Sequence, residues 1–155
     1  LGVVVLTNGT PIGVPEAIAD TIVDDAVNGS PTRDWGKYWH GQLAGLLAGD
    51  PKLDKPPADS TPAKPASAYV GSYDNPYYGT YVVRADAKGQ LTITEGPAHR
   101  VFPLTHWSAN TFTMVESPDL PNTRSELTFD IGPAGTATSL HIGGEPGVDI
   151  LHRVG

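Results

Sequence analysis

The stretch from Asp50 to Ser67 limits what the rest of the chain can fold into. It reads Asp-Pro-Lys-Leu-Asp-Lys-Pro-Pro-Ala-Asp-Ser-Thr-Pro-Ala-Lys-Pro-Ala-Ser, with five prolines and almost no apolar side chains. Proline fixes φ and lacks an N–H, so it is excluded from helix interiors and central strands. Such a stretch is a semi-rigid, polyproline-like linker, and no hydrophobic core can run through it. The chain of 155 residues is therefore expected to divide into residues 1–49, a linker at 50–67, and a second domain at 68–155.

Before the linker, Leu1 to Leu6 is a continuous apolar, β-branched run closed by Thr7-Asn8-Gly9. This is the pattern of a strand buried on both faces, which needs neighbours on both sides. A chain that opens inside such a run, without Met, reads as a piece of something longer. Pro15 and Glu16 mark the first turn of a helix. Val14, Ile18, Ile22 and Ala26 then recur every fourth residue, Ala19 and Val23 widen the stripe, and Asp20 and Asp24 lie opposite. Asn28-Gly29 stops it. A second helix is expected from about Thr32 to Ala48, with Trp35, Tyr38, Trp39, Leu43, Leu46 and Leu47, although Gly36, Gly41 and Gly45 weaken it.

After the linker the rhythm changes to short alternating runs with turns between them: Tyr69–Tyr73, Tyr78–Ala85, Gln90–Glu95, Arg100–Trp107, Thr111–Glu116, Ser125–Ile131, Thr136–Ile142 and Val148–Val154. Eight strands so closely spaced, with no intervening helix, must pair antiparallel, and eight strands can close into a barrel that leaves no exposed edge. A flat sandwich is the other arrangement open to them.

Two stretches carry a family resemblance. Gly2-Val-Val-Val-Leu-Thr-Asn-Gly9 with Pro15-Glu-Ala-Ile-Ala-Asp20 resembles the last sheet strand and terminal helix of the penicillin-binding-protein-like serine hydrolases, a group that includes class C β-lactamases, related esterases and D-amino-acid peptidases. Tyr69-Val-Gly-Ser-Tyr-Asp-Asn-Pro-Tyr-Tyr-Gly79, Leu127-Thr-Phe-Asp130 and Ser139-Leu-His-Ile142 resemble the lipocalin-like barrel often appended to these hydrolases. The implied fold is mainly β: an eight-stranded antiparallel lipocalin-like barrel preceded by a strand–helix tail from an α/β serine hydrolase fold. The implied function is that of a non-catalytic C-terminal accessory domain, modulating substrate access or assembly. Its parent would hydrolyse an amide or ester through an acyl-serine. The implied partner is the upstream catalytic domain, and the implied compartment is the bacterial periplasm or the exterior.

Catalytic residues of that family are not carried over. Its nucleophile lies in Ser-x-x-Lys, where the lysine shares in deprotonating the hydroxyl. None of the serines at 30, 60, 67, 72, 108, 117, 125 and 139 has lysine at the third following position; Ser60 has Lys64 at the fourth, inside the linker. Tyr73-Asp74-Asn75 and His141-Ile142-Gly143 match the family's Tyr-x-Asn and His-x-Gly, but both fall in the barrel, with no Ser-x-x-Lys before them, and are read as structural.

Net charge is −7, with no two adjacent cations. A nucleic acid or an anionic membrane needs a positive surface, so neither is an expected partner. Without cysteine, disulfides, zinc–thiolate sites and iron–sulfur clusters are excluded. His40, His99, His106, His141 and His152 show no i+2 to i+4 pairing, so no metal or cofactor site is assigned; strands could still gather His99, His141 and His152. The aromatics Tyr69, Tyr73, Tyr77, Tyr78, Tyr81, Phe102, Trp107, Phe112 and Phe129 read as a filled core, the alternative being a cavity for a small apolar ligand in a stand-alone binding barrel. A further alternative is an oligomerisation module. Residues 1–48, uncovered, would present an apolar strand and helix face prone to self-association.

Overall fold

The computed structural model describes residues 1–9, 13–115, 117, 118, 120, 122–143 and 149–155. The chain divides into two compact units, Leu1–Pro51 with Ser117–Thr123, and Lys52–Glu116 with Arg124–Gly155.

The first unit is a helical hairpin of α1 (Val14–Asn28) and α2 (Trp35–Ala48). Gly13 precedes α1 in the left-handed region (φ 84), where glycine carries no Cβ penalty. A Cβ there would lie 2.8 Å from that of Trp39, so the absent side chain also lets α2 approach. The second helix begins at Trp35, later than the expected Thr32. Thr32 is engaged elsewhere and Asp34 is the N-cap, its carboxylate accepting the Lys37 N–H at 2.9 Å, which satisfies one of the donors a helix start leaves open. Leu1–Leu6, expected as a strand, carries no secondary structure and has no sheet partner among the described residues. A strand forms only where a ladder can satisfy its backbone. Its burial nevertheless alternates: Val3 and Val5 are half-buried, whereas Val4 and Leu6 are exposed.

The second unit is one antiparallel sheet curled into a nearly closed barrel. Its strands are β1 (Gly71–Asn75), β2 (Gly79–Ala85), β3 (Leu91–Glu95), β4 (Arg100–Pro103), β5 (Thr105–Ser108), β6 (Thr111–Met114), β7 (Ser125–Ile131), β8 (Ala137–Ile142) and β9 (Ile150–Val154). The sheet order is β4-β3-β2-β1-β9-β8-β7-β6-β5, so every hydrogen-bonded pair except β1–β9 joins chain neighbours. Nine strands replace the expected eight because the run from Arg100 to Trp107 breaks at Leu104. Pro103 has no N–H for a continuing ladder, and Leu104 turns inward, 1 % exposed. The Leu104 N–H donates to the Leu91 carbonyl at 2.9 Å, and its carbonyl accepts Gln90 Nε2 at 2.6 Å. The chain pairs with β3 before this corner and with β6 after it. The two sheet edges are thus the halves of one bent strand, which limits the exposed edge. The expected ends at Glu116 and Val148 lie outside the described residues.

Alternation sorts the side chains. Tyr73, Tyr81, Val83, Leu91, Ile93, Phe112, Leu127, Phe129, Leu140 and Leu151 point inward and are buried. Tyr69, Tyr73, Phe112 and Phe129 form a ring cluster with centroids 5.0–5.8 Å apart, and each fully buried side chain of this size stabilises by about 1.5–3 kcal/mol. Arg153 also points inward: its guanidinium donates to the Val70 carbonyl at 2.7 Å and the Ala137 carbonyl at 3.0 Å. Gly71 makes room for it, since a Cβ there would lie 3.0 Å from the guanidinium. Part of the linker is tied to the barrel: Ser60 Oγ donates to the Trp107 carbonyl, the Ala109 N–H to the Thr61 carbonyl, and the Lys64 N–H to Tyr69 Oη. None of the described helices is long and apolar enough to cross a membrane.

Candidate functional site

At about 100° per residue, α1 presents three arcs, two of them occupied. One faces α2, and it is the polar arc. Asp24 Oδ2 accepts the Thr32 N–H (2.7 Å), Thr32 Oγ1 (2.6 Å) and Trp35 Nε1 (2.8 Å), while Oδ1 accepts Asn28 Nδ2 at 2.9 Å. Asp20 accepts Trp39 Nε1 at 2.7 Å. The Thr32 hydroxyl and N–H, then the Trp35 indole, hold the Asp24 carboxyl down at about 2, because donors favour the charged form. Trp35, Tyr38 and Trp39 pack edge to face, with the Arg33 guanidinium over Trp35 and Tyr38. The second arc meets the N-terminal segment, where Val5, Pro15, Glu16 and Ala19 line a shallow depression.

The third arc is open. Val14, Ile18 and Ile22 are 45 %, 43 % and 44 % exposed. With Gly13, Ala17, Thr21, Gly36, His40 and Leu47 they line a groove of ≈700 Å³. The apolar stripe therefore faces outward, and the aspartates opposite it face α2. Two indole N–H groups need acceptors when they pack, and Asp20 and Asp24 supply them. Among the described residues this arc is an apolar surface left uncovered.

The barrel carries a polar cluster that the one-dimensional pattern does not reveal. Asp130 on β7 accepts Ser139 Oγ at 2.6 Å and lies 2.7 Å from His141 Nε2, both on β8; His141 Nδ1 is 3.8 Å from Asp149. Donation from Ser139, then from His141, lowers the pKa of Asp130. The residue types are those of a hydrolytic triad, but the connectivity differs. A nucleophilic serine needs its proton aimed at an effective base; the Ser139 hydroxyl instead points at a carboxylate held ionised. The cluster is a clasp between two strands.

The motif-like tripeptides have structural duties. Tyr73 Oη donates to the Tyr69 carbonyl at 2.6 Å, Asp74 accepts Thr80 Oγ1, and Asn75 receives the Tyr77 and Tyr78 N–H groups while donating to the Ile150 carbonyl. His99 lies in the β3–β4 turn, whereas His141 and His152 lie on adjacent strands at different registers. Among the described residues no three His, Cys, Asp or Glu side chains are arranged to hold a metal. The aromatic cluster occupies the barrel interior. Near it, Lys64, Tyr69, Gln90, Leu104, His106 and Phe112 help to line a recess of ≈160 Å³, below the roughly 300 Å³ at which small-molecule pockets begin.

Comparison with known proteins adds a family. A model described as a domain of unknown function, DUF3471, matches residues 55–151. The crystal structure of the C-terminal domain of the penicillin binding protein Rv0907 is 32% identical with a TM-score of 0.56, the match covering 64% of this chain and 95% of that one. SurE with D-Leu is 25% identical with a TM-score of 0.48, covering 77% of this chain and 27% of that one. A second SurE structure is 22% identical with a TM-score of 0.46, covering 81% and 28%. No curated protein matches the chain.

Proposed function

The chain belongs to the DUF3471 family, and from that membership and its likeness to the C-terminal domain of a penicillin binding protein we propose that it is the non-catalytic C-terminal part of a β-lactamase-like serine hydrolase. The observation that carries this reading is the open arc of α1. An apolar helix face with Val14, Ile18 and Ile22 nearly half exposed needs a covering layer. The N-terminal segment meets the helix beside that arc through Val5, and Val3 is half-buried on the same alternation. A strand pairing with residues 1–6 would lie about 4.8 Å to one side. Placed on the open side, that strand brings a sheet under Ile18 and Ile22. One occupant, the sheet of the upstream catalytic domain, then satisfies both the unpaired backbone and the uncovered helix. The barrel is an accessory module that limits substrate access to that domain, and the resemblance to these hydrolases favours a periplasmic or secreted protein.

The test uses the intact gene product, the same protein ended at Ser67, and this chain alone, each incubated with a fluorescent penicillin and a panel of esters and D-amino-acid amides. The intact protein is expected to be acylated and this chain not. Removing the barrel is expected to change KM across substrates of different size while leaving acylation in place. Turnover by this chain alone, or an intact protein inert to every acyl donor, would sink the proposal.

A further inference from the structure

We infer that Asn8 is a site of spontaneous covalent modification, its side-chain amide being hydrolysed to a carboxylate through a cyclic imide formed with the Gly9 nitrogen. Water is the only co-reactant. The Gly9 backbone nitrogen attacks Asn8 Cγ, and the Cγ–Nδ2 bond breaks. The proton that the Gly9 nitrogen gives up, passed through solvent, leaves with Nδ2 as ammonia. Water then adds to either carbonyl of the imide. Opening on one side yields aspartate; opening on the other yields isoaspartate, in which the main chain runs through the former side chain and is one carbon longer. No electrons are transferred, and both products carry one more negative charge.

That chemistry requires a following residue with an N–H, no side chain shielding it, and a backbone free to bring the nitrogen onto Cγ. The five asparagines are followed by Gly9, Gly29, Pro76, Thr111 and Thr123. Pro76 has no N–H, and the Asn75 amide donates to the Ile150 carbonyl. Thr111 and Thr123 carry branched side chains that crowd the approach. Asn28 and Gly29 are the right residues, but both are tied. Asn28 Nδ2 donates to Asp24 Oδ1 at 2.9 Å, and the Gly29 N–H donates to the Asp25 carbonyl at 2.9 Å in the cap of α1. Asn8 and Gly9 instead lie exposed in a bend outside any helix or strand. Nothing lies within 4 Å of the place a Cβ on Gly9 would take, and among the described residues neither the Asn8 amide nor the Gly9 N–H is hydrogen-bonded. The site joins residues 1–6 to α1, so isoaspartate would lengthen that joint, and either product adds charge to a chain already at −7.

The test holds the intact gene product in mildly alkaline buffer and follows each asparagine by peptide mapping, with mass spectrometry reading the amide-to-acid change and chromatography separating aspartate from isoaspartate. Asn8 is expected to convert to both products, and faster as pH rises, because base must take the Gly9 proton. Asn28 should convert about tenfold more slowly, since its side-chain and backbone hydrogen bonds must both open first. In urea, where neither site is held, the two rates should converge. Gly9→Ala fits the open space and should suppress conversion at Asn8 by shielding the nitrogen. An Asn8 that stays intact in the native protein and converts only in urea would overturn the inference. So would native Asn28 reacting as fast as Asn8, or a G9A variant converting as fast as wild type, because the rate would then not be set by the freedom of the Asn8–Gly9 bend or would not run through the imide.

Discussion

Asp130 serves two donors with one carboxylate, and its ionisation is linked to folding. Its folded pKa lies below its ordinary 3.8, so the stabilisation is present in full above the unfolded value and is lost as pH falls through the folded one. Asp130→Asn should therefore cost about 1 kcal/mol at pH 7, and the gap from wild type should close below pH 3.8. Urea denaturation of the two proteins between pH 7 and pH 2 reads this directly; a gap independent of pH would mean that the charge contributes nothing. The residues of this clasp were legible in the sequence only as isolated letters. Ser139 and His141 share a face because they are two apart on a strand, but Asp130 joins them through a β7–β8 register shifted beside it by a bulge, and no local pattern reports that. Asp24 presents the converse problem. Its position opposite the apolar stripe is legible, but the Thr32 and Trp35 donors it receives are not, because they follow from how α2 packs.

At the scale of elements, period-two alternation with Gly, Asn and Asp turns put every barrel strand close to its position, since each strand buries one face and must alternate. The corner at Leu104 was not legible, because Val101, Phe102 and Leu104 look like one apolar run and only closure of the barrel forces the change of partner. The β5–β6 hairpin shows a local cost accepted for a tertiary contact. Ala109 sits at φ 50, a left-handed conformation costing an L-residue roughly 1–2 kcal/mol. It is held there as its N–H donates to the Thr61 carbonyl and its own carbonyl lies 3.3 Å from His106 Nε2. Ala109→Gly keeps both backbone groups and removes the penalty, so it is expected to stabilise the barrel by about 1 kcal/mol, seen as a higher thermal midpoint. An unchanged or lower midpoint would show that glycine's greater unfolded-state freedom outweighs the relief.

At the scale of the whole molecule, the two units differ in how fully each satisfies itself. The barrel has its own closed core, its edges meet at one bent strand, and its inward arginine is bonded to two carbonyls. The helical hairpin has no buried hydrophobic side chain in α1 and leaves Ile18 and Ile22 beside an apolar groove. A concentrated solution of this chain, with nothing else to cover that groove, is expected to associate through it. Ile18→Lys with Ile22→Lys puts two charges where a second copy would have to exclude water. The substitutions touch none of the side-chain hydrogen bonds between α1 and α2, which run through Asp20 and Asp24. Sedimentation velocity should therefore show the wild-type chain forming dimers or larger species at concentrations on the order of 100 μM, the affinity range of small apolar contacts, and the double variant remaining a monomer. The barrel's thermal midpoint should be the same in both. A wild type that stays monomeric throughout would mean that the groove has little free energy to gain from being covered. That would weaken every role assigned to the face, because an upstream sheet and a second copy would draw on the same apolar area.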